Sequence, residues 1–310
     1  MKNTFFSGLL VLFVTTVGTA FAEPVKVFVS VMPQKYFVEK IGGDLLEVSV
    51  MVEPGASPAT YEPKPRQMVA LTKTEIYFAI GVPFEDAWLK KINAMNAGLL
   101  VVHTEAGIAK IPMKTQHHGG EGDRQQHEEK SSHHEEGHHV YHHHGIKDPH
   151  VWLSPPLVML QARNILRALV RVHPEHRTIY ERNYKNFIIE LVVLDEQLRG
   201  VFADMRGQTE FMAFHPAWGY FARDYGLEQV PIEIEGKEPK PEELARLIRH
   251  AQQRGITVIF VQPQFSRQMA QTVAKAIGGQ IVLADPLAPD WTNNLRQVAA
   301  QFKSALRGDR

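Results

Sequence analysis

Short stretches rich in Val, Ile and Phe alternate along the chain with longer amphipathic stretches, and this alternation restricts the fold more than any other feature. The apolar stretches predict strands over residues 25–31, 47–52, 75–80, 99–103, 210–214, 229–234, 257–261 and 280–283. Helical patterns lie between them, as in βα units with a parallel sheet. We therefore predict an α/β fold in which the same architecture occurs twice.

A histidine-rich run interrupts the alternation after the fourth strand. Its histidines are His117, His118, His127, His133, His134, His138, His139, His142, His143 and His144. The run is also rich in Gly and Glu, so it cannot bury a core and is expected to be a surface insertion. Neutral imidazole is a common ligand for borderline metals, so the composition predicts low-affinity metal binding. A solvated linker without a role is the alternative.

Two helical patterns follow the run. Residues 157–171 form an amphipathic pattern, with Ser154 placed to cap its beginning. From Pro174 onward, apolar residues recur at spacings of three and four until Gly207, which predicts a helix of about 45 Å. Such a helix is either one amphipathic element of a single core or a rigid strut between two domains, and its length does not decide between them.

The first 22 residues have the pattern of a secretory signal peptide. Lys2 precedes an apolar run over residues 5–17, and Ala20-Phe21-Ala22 forms a small-residue cleavage site. An uncleaved membrane anchor is the alternative, but the run is short and contains Ser7 and Gly8. The mature chain is therefore expected in the periplasm.

Composition excludes several kinds of site. The chain contains no Cys, so it has neither disulfides nor a thiolate ligand, and its ten Met are scattered rather than clustered. Any metal must therefore be bound by nitrogen and oxygen. Lys and Arg together number 34, as do Asp and Glu, which leaves no electrostatic footprint for nucleic-acid binding.

Three polar residues occupy places where a ligand site is expected. His215 and Asp285 each follow a predicted strand, and His150 lies in the loop before a helix. Ligands of parallel α/β sheets bind beyond the carboxyl ends of the strands. Two imidazoles and one carboxylate suit Zn²⁺, and Mn²⁺, Ni²⁺, Cu²⁺ and Co²⁺ remain open. The alternatives are a histidine bonded to a loop backbone and an Asp-Pro turn.

Four phrases resemble those of the zinc- and manganese-binding periplasmic proteins of ABC importers, and the ZnuA-like zinc-uptake group above all. They are Asp148-Pro-His-Val-Trp-Leu-Ser-Pro155, Phe214-His-Pro-Ala-Trp-Gly-Tyr-Phe221, Glu235-Gly-Lys-Glu-Pro239 and Ala284-Asp-Pro-Leu287. The likeness covers essentially the whole mature chain, including the histidine-rich insertion and the long helix.

The resemblance implies two α/β lobes, each with a parallel sheet flanked by helices, joined by one long rigid helix. The lobes would comprise residues 23–155, with the insertion at 117–144, and residues 207–310. A helical segment over 156–206 would join them and contain the linker helix 174–206. The resemblance further implies a monomer without enzymatic activity that works with the membrane permease of an ABC importer.

The resemblance also implies a metal in the cleft, with His150, His215 and Asp285 as ligands. At the position of His215, the family typically has histidine in zinc binders and glutamate in manganese binders, so it points to zinc. Apart from the resemblance, Glu235 is a candidate to orient a ligating imidazole or to be a fourth ligand, and a solvated loop carboxylate is the alternative.

The chain departs from the family at one ligand position. The family has a histidine where this chain has Ala59, within Ser57-Pro-Ala-Thr-Tyr-Glu-Pro63. Alanine has no donor atom, so water, a bidentate Asp285, the nearby Glu62 or a histidine of the insertion would have to take its place. We expect weaker or faster-exchanging binding than with four protein ligands.

Three functions are compatible with these residues. The leading one is capture of zinc in the periplasm and delivery to a permease, with the histidine-rich loop as metal collector. A periplasmic metal buffer or chaperone would have the same sequence features. A zinc hydrolase would use the open coordination position for a water, but no carboxylate is plainly placed as its general base.

Overall fold

The computed structural model describes residues 23–113, 147–205, 209–233, 237–265 and 267–307. The predicted signal peptide, all ten histidines of the 117–144 run and Glu235 lie outside these residues.

The first half contains a four-stranded parallel sheet in the order β2-β1-β3-β4. Its strands are β1 Val25–Val29, β2 Leu46–Val50, β3 Ile76–Ala79 and β4 Leu100–His103. The helices of this half are α1 Met32–Gly42, α2 Pro65–Leu71 and α3 Pro83–Met95. The predicted strands of this half are confirmed.

Two helices connect the halves, α4 Pro155–Val172 and α5 Arg177–Phe202. The predicted cap of α4 is confirmed, because the Ser154 hydroxyl accepts a hydrogen bond from the Leu157 amide at 3.3 Å. The long helix begins differently from the sequence expectation, since Pro174–His176 is a 3₁₀ turn and the α-helix starts at Arg177. Its 26 residues correspond to about 39 Å.

The second half repeats the arrangement, with a parallel sheet in the order β6-β5-β7-β8. Its strands are β5 Glu210–Ala213, β6 Glu228–Pro231, β7 Val258–Val261 and β8 Gln280–Leu283. Its helices are α6 Gly219–Asp224, α7 Pro241–Arg254, α8 Arg267–Ala276 and α9 Trp291–Arg307. Two parallel sheets flanked by helices confirm the predicted fold class.

The long helix α5 takes part in the core of both halves. It packs against α1 and α4 on one side of the molecule and against α9 on the other. Its buried face consists of Tyr180, Phe187, Leu191, Leu194, Leu198 and Phe202. One apolar cluster extends from the first sheet through this face to the second sheet. The helix is therefore both an amphipathic core element and the connection between the sheets.

Two further observations bear on the site and on the location of the chain. Pro112 and Lys147 form an antiparallel bridge, and the Asp148 amide donates to the Ile111 carbonyl at 2.9 Å. The two ends of the segment 114–146 are thus held together just before His150. Over the parts of the chain that are described, no helix is long and apolar enough to cross a membrane.

Candidate metal centre

A cavity of about 60 Å³ lies where the carboxyl ends of the two sheets meet. The first half contributes the loop after β2 and the start of α3, and the second half contributes the segments after β5, β7 and β8. The lining residues are Ser57, Pro58, Ala59, Val82, Pro83, Met113, Pro149, His150, Trp152, His215, Gln264, Phe265, Pro286 and Leu287. The cavity therefore occupies the place where parallel α/β sheets bind their ligands.

His150 enters the cavity from a turn that Asp148 stabilises. One Asp148 carboxylate oxygen accepts both the His150 amide, at 2.9 Å, and the His150 ring Nδ1, at 2.7 Å. Both side chains are buried, and the imidazole also packs edge-on against Trp152. Burial is the main influence on this ring and lowers the pKa of His150, so the imidazole is held neutral, as metal binding requires.

His215 enters from the end of β5 and is fixed on three sides. Its Nδ1 lies 2.7 Å from the carboxylate of Glu233, which is 4% exposed. Its backbone exchanges two hydrogen bonds with the buried side chain of Gln262. Its ring stacks on Phe265 with centroids 4.8 Å apart. The imidazole is thus held in one orientation.

The two imidazoles face each other through the nitrogens that are not bonded to carboxylates. The Nε2 atoms of His150 and His215 are 3.4 Å apart. Because each Nδ1 donates to a carboxylate, each Nε2 carries the lone pair that can bind a metal. Two nitrogens at about 2.05 Å from a tetrahedral zinc would be separated by about 3.35 Å, so the spacing fits one shared ion.

Asp285 lies next to the cavity but is bonded elsewhere in this structure. Its Oδ1 accepts hydrogen bonds from the Gln264 amide group and from the Leu287 backbone, both at 2.9 Å. Its carbonyl oxygen accepts from the Asn294 side chain at 2.8 Å. Both described contacts of the carboxylate therefore end on Oδ1.

The three predicted ligands thus do not lie equally close to one another. The structure brings His150 and His215 together, while Asp285 borders the same cavity through Gln264 and Leu287. Among the described residues, no three His, Asp or Glu side chains are close enough to form a metal-binding group. Binding of one metal by all three would therefore require Asp285 to move toward the two imidazoles.

Ala59, where the resemblance leads one to expect a histidine, lines the cavity. Its methyl group offers no donor, and the residue is exposed on the loop after β2. Glu62 is exposed three residues further along and is not part of the cavity lining. Pro58 and Ala59 of this loop therefore contribute only shape to the cavity, and Ser57 contributes a hydroxyl.

The sequence analysis missed the carboxylates that orient the imidazoles. Glu233 contacts His215 and Asp148 contacts His150, while Glu235, the residue predicted for this role, lies outside the described residues. A signal for Asp148 was present, since an aspartate two residues before a histidine often bonds its amide. The signal for Glu233 appears only once β5 and β6 are paired, with Ala213 opposite Pro231. Two residues beyond that pair, His215 and Glu233 become neighbours.

Comparison with known proteins decides the family. The profile of the periplasmic zinc-uptake complex component A, ZnuA, matches residues 27–305. The chain belongs to the ZnuA family. A high-affinity zinc uptake system protein ZnuA of Bacillus subtilis is 30% identical over 259 residues, which is 82% of this chain and 76% of that protein.

Two solved ZnuA structures have the same fold. A crystal structure of ZnuA superposes with a TM-score of 0.80 at 39% identity and covers 91% of this chain and 99% of its own. A zinc-bound ZnuA with residues 138–173 deleted gives 0.79 at 39% identity, covering 92% and 98%. The ZnuA family comprises metal-binding solute-binding proteins of ABC uptake systems, located outside the cytoplasm, and is not an enzyme family.

Proposed function

We propose that this protein captures zinc in the cleft between its two sheets and delivers it to the permease of an ABC importer. The observation that carries the proposal is the pair of imidazoles, whose Nε2 atoms are 3.4 Å apart while each Nδ1 lies against a buried carboxylate. His150 and His215 supply two ligands in this proposal, and Asp285 supplies the third through Oδ2. The zinc-bound relative supports the choice of metal.

The ligand assignment is tested by zinc affinity. His150→Ala and His215→Ala are expected to lose tight zinc binding in a competition titration, and Asp285→Ala to weaken it. His250→Ala is the matched control, because His250 also bonds a carboxylate, that of Glu210 at 2.8 Å, but does not line the cavity. Tight binding that survives both cavity histidine substitutions would refute the assignment.

The metal is identified by elemental analysis of the purified protein. Nitrogen and oxygen donors suit several first-row ions, and Cu²⁺ generally binds such donors more tightly than Zn²⁺ does. We expect zinc to be retained after purification from a medium that supplies Mn²⁺, Ni²⁺, Cu²⁺, Co²⁺ and Zn²⁺ together. Retention of another ion in place of zinc would change the substrate assigned to the site.

The histidine-rich run at 117–144 acts in this proposal as a low-affinity collector beside the cleft. The placement of its neighbours supports the idea, because Met113 lines the cavity and Lys147 is paired with Pro112 close to His150. Deletion of residues 117–144 is expected to remove additional zinc equivalents and to leave one tight equivalent. An unchanged number of equivalents would contradict the collector role.

Delivery to a permease separates this proposal from a metal buffer. A cell that lacks its own zinc-binding component but retains the permease should recover zinc uptake when it expresses this protein. The protein is expected to be exported through its signal peptide and to act as a monomer. The His150→Ala protein should not restore uptake. Zinc binding without any restored uptake would favour the buffer.

A further inference from the structure

The imidazole and carboxylate donors lie on one side of the cavity. The two imidazoles and the neighbouring Asp285 lie on the side of the second sheet and of the segment before α4. From the first half, Pro58, Ala59, Val82 and Pro83 line the cavity and carry no side-chain donor, and the Ser57 hydroxyl oxygen already accepts a hydrogen bond from the Ala59 amide at 3.3 Å. A metal held by the imidazoles would therefore face a mainly apolar wall.

The space is large enough for more than one water molecule. A water needs roughly 10–15 Å³ of such volume, and the cavity provides about 60 Å³. Its outer parts, near Met113 and Leu287, are also apolar. Water molecules there would have few hydrogen-bond partners, whereas a small molecule with one donor atom and an apolar body or ring would match both the metal and the walls.

The donor count leads to the same conclusion. Two imidazoles and one carboxylate give three protein ligands, whereas zinc sites that hold their metal firmly have four. Among the described residues no three His, Asp or Glu side chains are close enough to form a metal-binding group, so the structure offers no fourth ligand of these types. Ala59 lines the same cavity.

We infer that this protein binds its metal together with a small organic ligand, which occupies the cavity beside Ala59 and donates one nitrogen or oxygen atom to the ion. The ligand is of the size of imidazole or a short carboxylic acid. This inference rests on the metal site proposed above and specifies the substrate as a metal–ligand complex rather than the bare ion.

Imidazole and Co²⁺ are suitable probes, because the visible absorption of Co²⁺ reports a change in its ligands. The full chain is loaded with one equivalent of Co²⁺ and titrated with imidazole, while equilibrium dialysis verifies that the metal stays bound. We expect a saturable spectral change with a single dissociation constant.

Two substitutions at Ala59 provide the matched controls, and its exposure makes both compatible with folding. Ala59→Leu fills the cavity without adding a donor and is expected to weaken the imidazole response about tenfold or more. Ala59→His supplies a donor from the chain and is expected to abolish the response while Co²⁺ remains bound.

The outcomes separate this inference from the proposed function. Failure of the wild-type protein to bind one equivalent of either Zn²⁺ or Co²⁺ would overturn both. Tight Co²⁺ binding without an imidazole response, or an equal imidazole response in Ala59→Leu, would overturn only the inference that a small organic ligand binds with the metal. A response confined to a chain lacking residues 117–144 would also overturn it, because the histidine-rich run would then supply the donor.

Discussion

The indole N–H of Trp152 donates a hydrogen bond to the carbonyl oxygen of Pro286 at 2.8 Å. This bond joins the segment that carries His150 to the segment that carries Asp285. The Trp291 indole in turn donates to the Trp152 carbonyl at 2.8 Å, so the start of α9 holds the same junction. The relative position of two proposed ligands thus depends on a fully buried tryptophan.

Trp152→Phe should weaken zinc binding while retaining most of the apolar bulk. The Pro286 carbonyl would lose its buried donor, at a cost of about 1 kcal/mol, which corresponds to about fivefold in affinity if the loss falls on the bound state. Competition titration measures the change. Trp88→Phe on α3 is the control, since Trp88 does not line the cavity. Equal affinities in the two variants would show that the bond does not position the site.

Asp148→Asn and Glu233→Gln should each reduce zinc affinity about tenfold or more, because the carboxylates orient the imidazoles and increase their basicity. Glu210→Gln, which alters the partner of His250, is the matched control and should leave affinity unchanged. Circular dichroism checks that each variant is folded. Wild-type affinity in both Asp148→Asn and Glu233→Gln would remove their positioning role.

Gly219→Ala should disturb the position of His150 indirectly, through Asp148. A Cβ at Gly219 would lie 2.7 Å from Asp148 Oδ2, closer than Cβ atoms approach other atoms in proteins, and Asp148 is buried against His150. We expect a drop in zinc affinity of about threefold to tenfold in a folded protein. Gly200→Ala, with no neighbouring atoms within 4 Å, should bind zinc like the wild type. A Gly219→Ala protein with unchanged affinity would show that Asp148 can move without releasing His150.

Tyr180→Phe should stabilise the protein. The Tyr180 hydroxyl is buried in α5 and has no hydrogen-bond partner within the described part of the chain. Removing an unsatisfied buried hydroxyl should raise the free energy of unfolding by about 1 kcal/mol. Tyr61→Phe should do the reverse, because the Tyr61 hydroxyl donates to Gln67 at 2.8 Å. Urea unfolding at neutral pH measures both, and a loss of stability in Tyr180→Phe would contradict the assignment.

Tyr180 also predicts how the free energy of unfolding changes at alkaline pH. Burial raises the pKa of Tyr180 from 10.0 to about 12. Between those values the unfolded chain has released this proton and the folded chain has not, so stability falls as the pH rises from 10 to 12. Tyr180→Phe lacks this titration, and its free energy of unfolding should decrease less over that interval than that of the wild type.

Much of the fold could be predicted because local patterns decide it. The strand of residues 280–283 and the cap at Ser154 depend on nearby residues alone, and the structure confirms both. The order of the strands in each sheet depends on pairings between distant segments and was not predictable from the pattern. The long helix was predicted, but not the 3₁₀ turn at Pro174–His176.

The candidate site, like the fold, could be predicted only in part. The position of His215 beside the cavity follows from the end of β5, which the sequence shows, whereas His150 is placed only by its loop before α4. The partner of His215 follows from the register between β5 and β6, and that register places Glu233 beside it. The hydrogen bond between Asp285 and Gln264 joins the segments that follow the neighbouring strands β7 and β8. It could be predicted only from the pairing of these strands, which the sequence pattern does not show.

The pairing of Pro112 with Lys147 has an evolutionary consequence. When both ends of a segment are fixed, the entropic cost of the closed loop increases by only about 0.6 kcal/mol for each doubling of its length. Insertions and deletions between these residues are therefore nearly neutral for folding. A lineage can therefore lengthen or shorten the histidine-rich run without altering the geometry around His150.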